Sequence, residues 1–174
     1  FLDSDDLHDL TRLKDAVTES DVLVLLQSAR VLERPWCLIE IATALDHGIP
    51  IVGVSLTTGG YAYDFAAAAE LLQTLERSLN QANPGALELL AKNEINVDDL
   101  TWKLSSTIPE MISVGFNPSA SKNVLAATVA DVVEGIRRAE PLKVMPKEEW
   151  LRRREIVRTA KKAAPVVATE AVAL

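Results

Sequence analysis

Two aliphatic runs constrain what this chain can fold into more than any other feature. Val22–Leu26 is continuously aliphatic, and Ile49–Leu56 reads as a second apolar run. Strands of that kind are buried on both faces, as in parallel sheets covered by helices. Between the runs, Leu38, Ile41, Ala42 and Leu45 recur at helical spacing. Pro35 suits the first turn of that helix, and Gly48 suits its C-cap. Upstream, Leu10, Leu13 and Val17 mark one face of another helix, ending near Ser20. Phe1–Asp3 reads as the end of a strand and Ser4–Asp9 as an acidic loop. The order from Phe1 to Leu56 is therefore strand, helix, strand, helix, strand, which implies a parallel sheet with right-handed crossovers. Its central strands are expected to be Val22–Leu26 and Ile49–Val54, with helices on both faces.

The rest of the chain is helix-rich. Asp64–Leu79 reads as one long alanine-rich helix, Ala86–Lys92 as a short one after the Asn83-Pro84-Gly85 turn, and Val97–Leu104 as another. Met111–Phe116 is the candidate last strand. Ser119–Ala139 is an amphipathic helix whose expected buried side is Val124, Leu125, Thr128, Val129, Val132, Val133 and Ile136. Glu148–Lys162 reads as a basic helix, and Pro165–Leu174 as a low-complexity tail.

Charge sets a domain boundary. Residues 1–140 hold 10 basic and 21 acidic residues, whereas 141–174 hold 8 basic and 4 acidic. The change coincides with Pro141 and Pro146, so 1–140 is assigned to the α/β domain and 141–174 to a basic helix and tail lying outside the sheet. The net charge of −7 argues against nucleic acid as the main partner. A single cysteine, Cys37, excludes an internal disulfide framework, and His8 and His47 have no metal-ligand spacing. No apolar run reaches the ~18 residues a membrane span needs. The Arg152–Arg154 and Lys161-Lys162 clusters suit an acidic protein surface or anionic lipid, beside a plainer role as a solvated helix that offsets the acidic domain.

The stretch Ser20–Ser28, followed by Val31-Leu-Glu-Arg-Pro-Trp-Cys-Leu-Ile-Glu-Ile41, resembles the TIR (Toll/interleukin-1 receptor-like) family. That family has a buried strand ending in Ser, a short loop, and Trp-Cys-x-x-Glu-Leu opening the next helix. Here Trp36, Cys37 and Glu40 match, with Ile41 for the usual Leu. Phe1–Leu7 resembles the family's second strand and the start of its BB loop, and Gly48–Val54 resembles the fourth strand. The match covers roughly residues 1–56. Later segments such as Asn83-Pro-Gly look like the TIR-like proteins of protists and algae. The resemblance implies a flavodoxin-like three-layer fold with a parallel sheet and flanking helices. The family's first strand and helix are absent, and extra helices follow at the C-terminal end.

For function, the resemblance implies a signalling and protein–protein interaction module that binds other TIR-like domains or forms a homo-oligomer, in an intracellular setting. It also implies an alternative, an NAD⁺ glycohydrolase cleaving the nicotinamide–ribose bond, with NAD⁺ as substrate and no bound cofactor. Glu40 is then the catalytic residue. A carboxylate beside the ribose stabilises the oxocarbenium-like charge of that cleavage, and nicotinamide leaves neutral without a general acid. Glu40 falls near Trp36 on the helical wheel and away from the apolar stripe. The helix follows a buried strand, so its start is expected to face a cleft at the carboxyl ends of the strands. Trp36, Ser28 and Asp6 are the candidate ligand contacts. Read without the family, Glu40 is a solvated residue favoured by the helix dipole, Trp36 a packing residue, Ser28 a strand end and Asp6 a loop residue. A third alternative is an inactive TIR-like structural subunit of a larger assembly.

Overall fold

The computed structural model describes residues 10–163. The expected strand at Phe1–Asp3 and acidic loop, Asp6 included, and the tail from Pro165 lie outside them. The chain falls into two compact units, one ending at Val144 and the other beginning at Met145. Leu142 packs against the core of the first unit.

The first unit is mixed α/β. Strands β1 (Leu23–Gln27), β2 (Ile51–Leu56) and β3 (Ser113–Phe116) form one open parallel sheet in the order β1-β2-β3. Its register runs from Leu23 opposite Ile51 to Gln27 opposite Ser55, and from Gly53 opposite Ser113 to Leu56 opposite Phe116. Helices α1 (Leu10–Thr18) and α2 (Pro35–His47) flank β1 in sequence. Helices α3 (Phe65–Gln73), α4 (Leu75–Ala82), α5 (Ala86–Lys92) and α6 (Val97–Thr107) form the long crossover from β2 to β3, and α7 (Lys122–Arg137) follows β3. This is the flavodoxin-like arrangement.

Local chemistry explains most of the boundaries. Pro35 opens α2, where a missing N–H costs nothing, and Gly48 closes it at φ 66°, a left-handed conformation that glycine adopts freely. Asp64 caps α3 by accepting from the Ala67 N–H at 2.9 Å. Asn96 caps α6 by accepting from the Asp98 and Asp99 N–H groups at 2.9 and 3.1 Å, and those two carboxylates sit favourably in the first turn. The single helix expected over Asp64–Leu79 is instead broken at Thr74, whose φ of −132° lies outside helical space. Thr74 is β-branched and a weak helix former. Its carbonyl starts α4 by accepting from the Ser78 N–H at 2.9 Å, and the two hydroxyls lie 3.0 Å apart.

The core sits on one side of the sheet. Leu38, Ile41, Leu79 and Leu104 are fully buried, and Ile39, Leu72, Leu75, Leu90 and Leu100 are nearly so. Each such side chain contributes roughly 1.5–3 kcal/mol by leaving water. They join α2 to α3–α6, with Leu25 and Ile51 from the sheet beneath. Helix α7 covers the opposite face. A Cβ built on Gly135 would lie 3.5 Å from Val52 Cγ1, so the helix backbone rests directly on β2.

Two expectations about burial are corrected here. Among the described residues β1 is an edge strand, and its side chains alternate between faces: Leu25 and Gln27 are buried, while Val24 is 44% and Leu26 52% exposed. An unbroken aliphatic run does not specify which face is covered. The expected buried side of α7 is likewise not buried. Val124, Val129 and Val133 are exposed, and Leu125, Thr128, Val132 and Ile136 are half-buried.

The second unit holds α8 (Lys147–Ala163), in which every residue from Leu151 to Thr159 is exposed. Glu149 pairs with Arg153 at 2.7 Å, and the Arg154 guanidinium lies 5.0 Å from the Trp150 ring centre. Among the described residues, no helix is long and apolar enough to cross a membrane.

Candidate functional site

The residues that resemble the Trp-Cys-x-x-Glu motif share one groove. Arg34 stands before α2 in an extended conformation and Pro35 begins the helix, so Glu40 falls one turn after Trp36 and Cys37, within reach of both by i,i+4 and i,i+3 spacing. All three are half-buried and line a groove of about 850 Å³. The opposite wall is the turn Asn83-Pro84-Gly85 and helix α5, through Glu88, Leu89 and Lys92. Gly85 makes that turn at φ 93°. The Asn83 side-chain amide donates to the Glu33 carbonyl at 3.5 Å, a long bond between the α4–α5 turn and the 3₁₀ turn before α2.

The charges of this groove balance. Arg34 and Glu40 lie on the α2 wall and Glu88 and Lys92 on the α5 wall, one charge of each sign per wall, and Lys92 is paired with Glu88 at 3.0 Å. Such a site suits a neutral or zwitterionic group better than a polyanion. The Trp36 ring also packs against the hydrophobic core. Sequence reasoning placed Glu40 over the carboxyl ends of the strands. In the structure its groove is walled by helices and a turn, and no strand residue lines it.

A second, smaller cavity of about 200 Å³ is lined by the segments that follow β1 and β2, again without a strand residue. Two backbone bonds shape that end of the sheet. The Ala29 N–H donates to the Tyr61 carbonyl at 2.9 Å, and the Tyr63 N–H to the Leu56 carbonyl at 2.8 Å. Its walls include Val31, Leu32, Tyr63, Ala67, Ala68 and Leu71. Burial pushes the Tyr63 phenol above its ordinary pKa, and the ring meets Phe65 edge-on with centroids 4.8 Å apart. Arg30, at the rim, holds a left-handed φ of 64° and pairs with Glu33 at 2.5 Å.

The structure thus joins Trp36 and Glu40 and leaves Ser28 apart. Ser28 is half-buried after β1, its carbonyl accepts from the Val31 N–H at 3.1 Å, and it lines neither cavity. Asp6 lies outside the described residues. Gln27 went unnoticed in the sequence because a strand-terminal glutamine usually reaches water. Here it is fully buried, and neither of its amide atoms has a hydrogen-bond partner. Among the described residues there is no cluster of His, Cys, Asp and Glu able to hold a metal ion.

No protein-family model matches this sequence, and no curated protein matches it.

Proposed function

We propose that this chain is a TIR-like protein–protein interaction module. The observation that carries this reading is the exposed apolar face of β1. Val24 and Leu26 stand half in water on a strand, and Val129 and Val133 on α7 are exposed as well. Isolated surface aliphatics are ordinary, but aliphatics on the open face of an edge strand are characteristic of surfaces that are covered by another chain or segment. A role as an inactive structural subunit of a larger assembly uses the same surface and differs only in the number of partners.

A second reading, cleavage of NAD⁺, is favoured by one observation: Trp36 and Glu40 share a groove large enough for part of a dinucleotide. A carboxylate beside an aromatic ring suits a ribosyl cation leaving a neutral base. It ranks second because the charges of the groove balance, which suits the pyrophosphate of a dinucleotide poorly. Incubation with NAD⁺ decides between the two. The interaction reading expects no nicotinamide above the uncatalysed rate. Nicotinamide release that disappears in Glu40→Ala, with the fold retained, would replace it with the hydrolase reading.

A further inference from the structure

The cavity beside Tyr63 shares no lining residue with the groove of Trp36 and Glu40. Four of its lining residues, Ala29, Ala62, Ala67 and Ala68, are alanine, and the space they leave is about 200 Å³. An apolar cavity of roughly 150 Å³ already admits a benzene-sized molecule. The walls are fixed to each other. The Ala29 N–H donates to the Tyr61 carbonyl at 2.9 Å, which ties the segment after β1 to the segment after β2. Each segment also closes its own turn: the Val31 N–H donates to the Ser28 carbonyl at 3.1 Å, and the Ala62 N–H to the Gly59 carbonyl at 3.2 Å. On α3, the Ala67 N–H donates to the Asp64 side chain and the Ala68 N–H to the Asp64 carbonyl, both at 2.9 Å. These backbone donors are engaged within the protein, so a ligand must be held by side chains. Walls fixed in this way are preformed, which lowers the cost of binding.

The charges of the cavity are matched as well. Arg30 is paired with Glu33 at 2.5 Å, and the Asp64 carboxylate caps the N-terminal end of α3. Val31 and Leu32 of the wall are buried, so a charge carried in would lose its hydration without gaining a partner. Tyr63 supplies the remaining chemistry. Its ring stands in the wall, edge-on to Phe65, and its hydroxyl has no hydrogen-bond partner among the described residues. That hydroxyl can both donate and accept. We propose that this cavity binds a small uncharged aromatic molecule, with its ring against the Tyr63 ring and its one polar substituent bonded to the Tyr63 hydroxyl. Offset or edge-on contact between two rings is favoured by their quadrupoles. The site is independent of both readings of function, since neither β1 nor Glu40 takes part in it.

Titration of the isotope-labelled full chain with phenol, followed by amide chemical shifts, tests this. The amides of Ala29, Ala62, Tyr63 and Ala68 should shift and saturate with a Kd on the order of 1 mM, as expected of so small a ligand. Benzoate, similar in shape but anionic, should bind at least about 10-fold more weakly. Ala68→Leu, which places a larger side chain in the cavity, should abolish saturation. Tyr63→Phe should weaken phenol binding about 5-fold and leave toluene binding unchanged, a selectivity that a merely structural hydroxyl would not produce. If Ala68→Leu fails to fold, the map of shifted amides and the Tyr63→Phe comparison carry the test. Absence of saturable shifts, shifts centred on Trp36 and Glu40, or saturation retained in a folded Ala68→Leu variant overturns the site. Benzoate binding as tightly as phenol overturns the uncharged class. Phenol and toluene responding alike to Tyr63→Phe overturns the hydroxyl contact.

Discussion

The two faces of the sheet are built to different standards. On the side of α1–α6, Leu25 and Ile51 lie under a layer of leucines and isoleucines with almost no exposure. On the side of α7, Val24 and Leu26 are exposed, Val52 is half-buried, Val54 at the sheet centre is buried, and no residue of α7 is fully buried. The register puts Val24, Leu26, Val52, Val54, Leu56, Val114 and Phe116 on the α7 face, which is the more apolar of the two in sequence. The difference therefore lies in coverage: one face meets a crossover of four helices, the other meets one. The first face holds the unit together, and the second leaves aliphatic side chains of β1 and α7 in water.

Substitutions on the two faces should differ in size and even in sign. The largest effect is expected at Leu104, fully buried in α6: Leu104→Ala should cost about 2–5 kcal/mol in urea unfolding. A smaller cost, about 1–3 kcal/mol, is expected for Gly53→Ala on the crowded face. There an added Cβ would lie 2.4 Å from Ser113 Oγ and 2.9 Å from Met111 Cε, so both side chains must move. The same change on the other face should reverse sign. At Gly135 the new methyl would meet Val52 at an ordinary 3.5 Å, and alanine is the better helix former. Gly135→Ala should therefore stabilise by roughly 0.5–1 kcal/mol. Val129→Ala should change stability least, by about 0.5 kcal/mol or less. Equal costs at Leu104 and Val129, or a large loss at Gly135, would show that the faces are equally packed.

The sequence disclosed the skeleton of the fold for physical reasons. Two aliphatic runs separated by one helix favour a parallel pair, which the structure shows as neighbours, and Pro35 and Gly48 marked the ends of α2 because each suits one end of a helix. Three things stayed hidden. The break at Thr74 depends on a backbone angle that a single threonine permits but does not demand. The bare face of β1 was invisible because Val22–Leu26 is aliphatic at every position and carries no alternation. The apolar pattern of α7 gave its helical period correctly, but periodicity says which residues could be buried, not whether enough structure exists to bury them. At the candidate site, the nearness of Trp36 and Glu40 followed from helical spacing. The opposite wall comes from the α4–α5 turn and α5, whose position depends on tertiary packing. The buried Gln27 amide and the cavity near Tyr63 depend on packing in the same way.

The central claim is that the two faces of the sheet are packed to different standards. Urea unfolding of Leu25→Ala and of Leu26→Ala, neighbours on β1 that point to opposite faces, tests it most directly. Leu25→Ala should cost about 2–5 kcal/mol, and Leu26→Ala about 1 kcal/mol or less. Equal losses at the two positions would contradict the account.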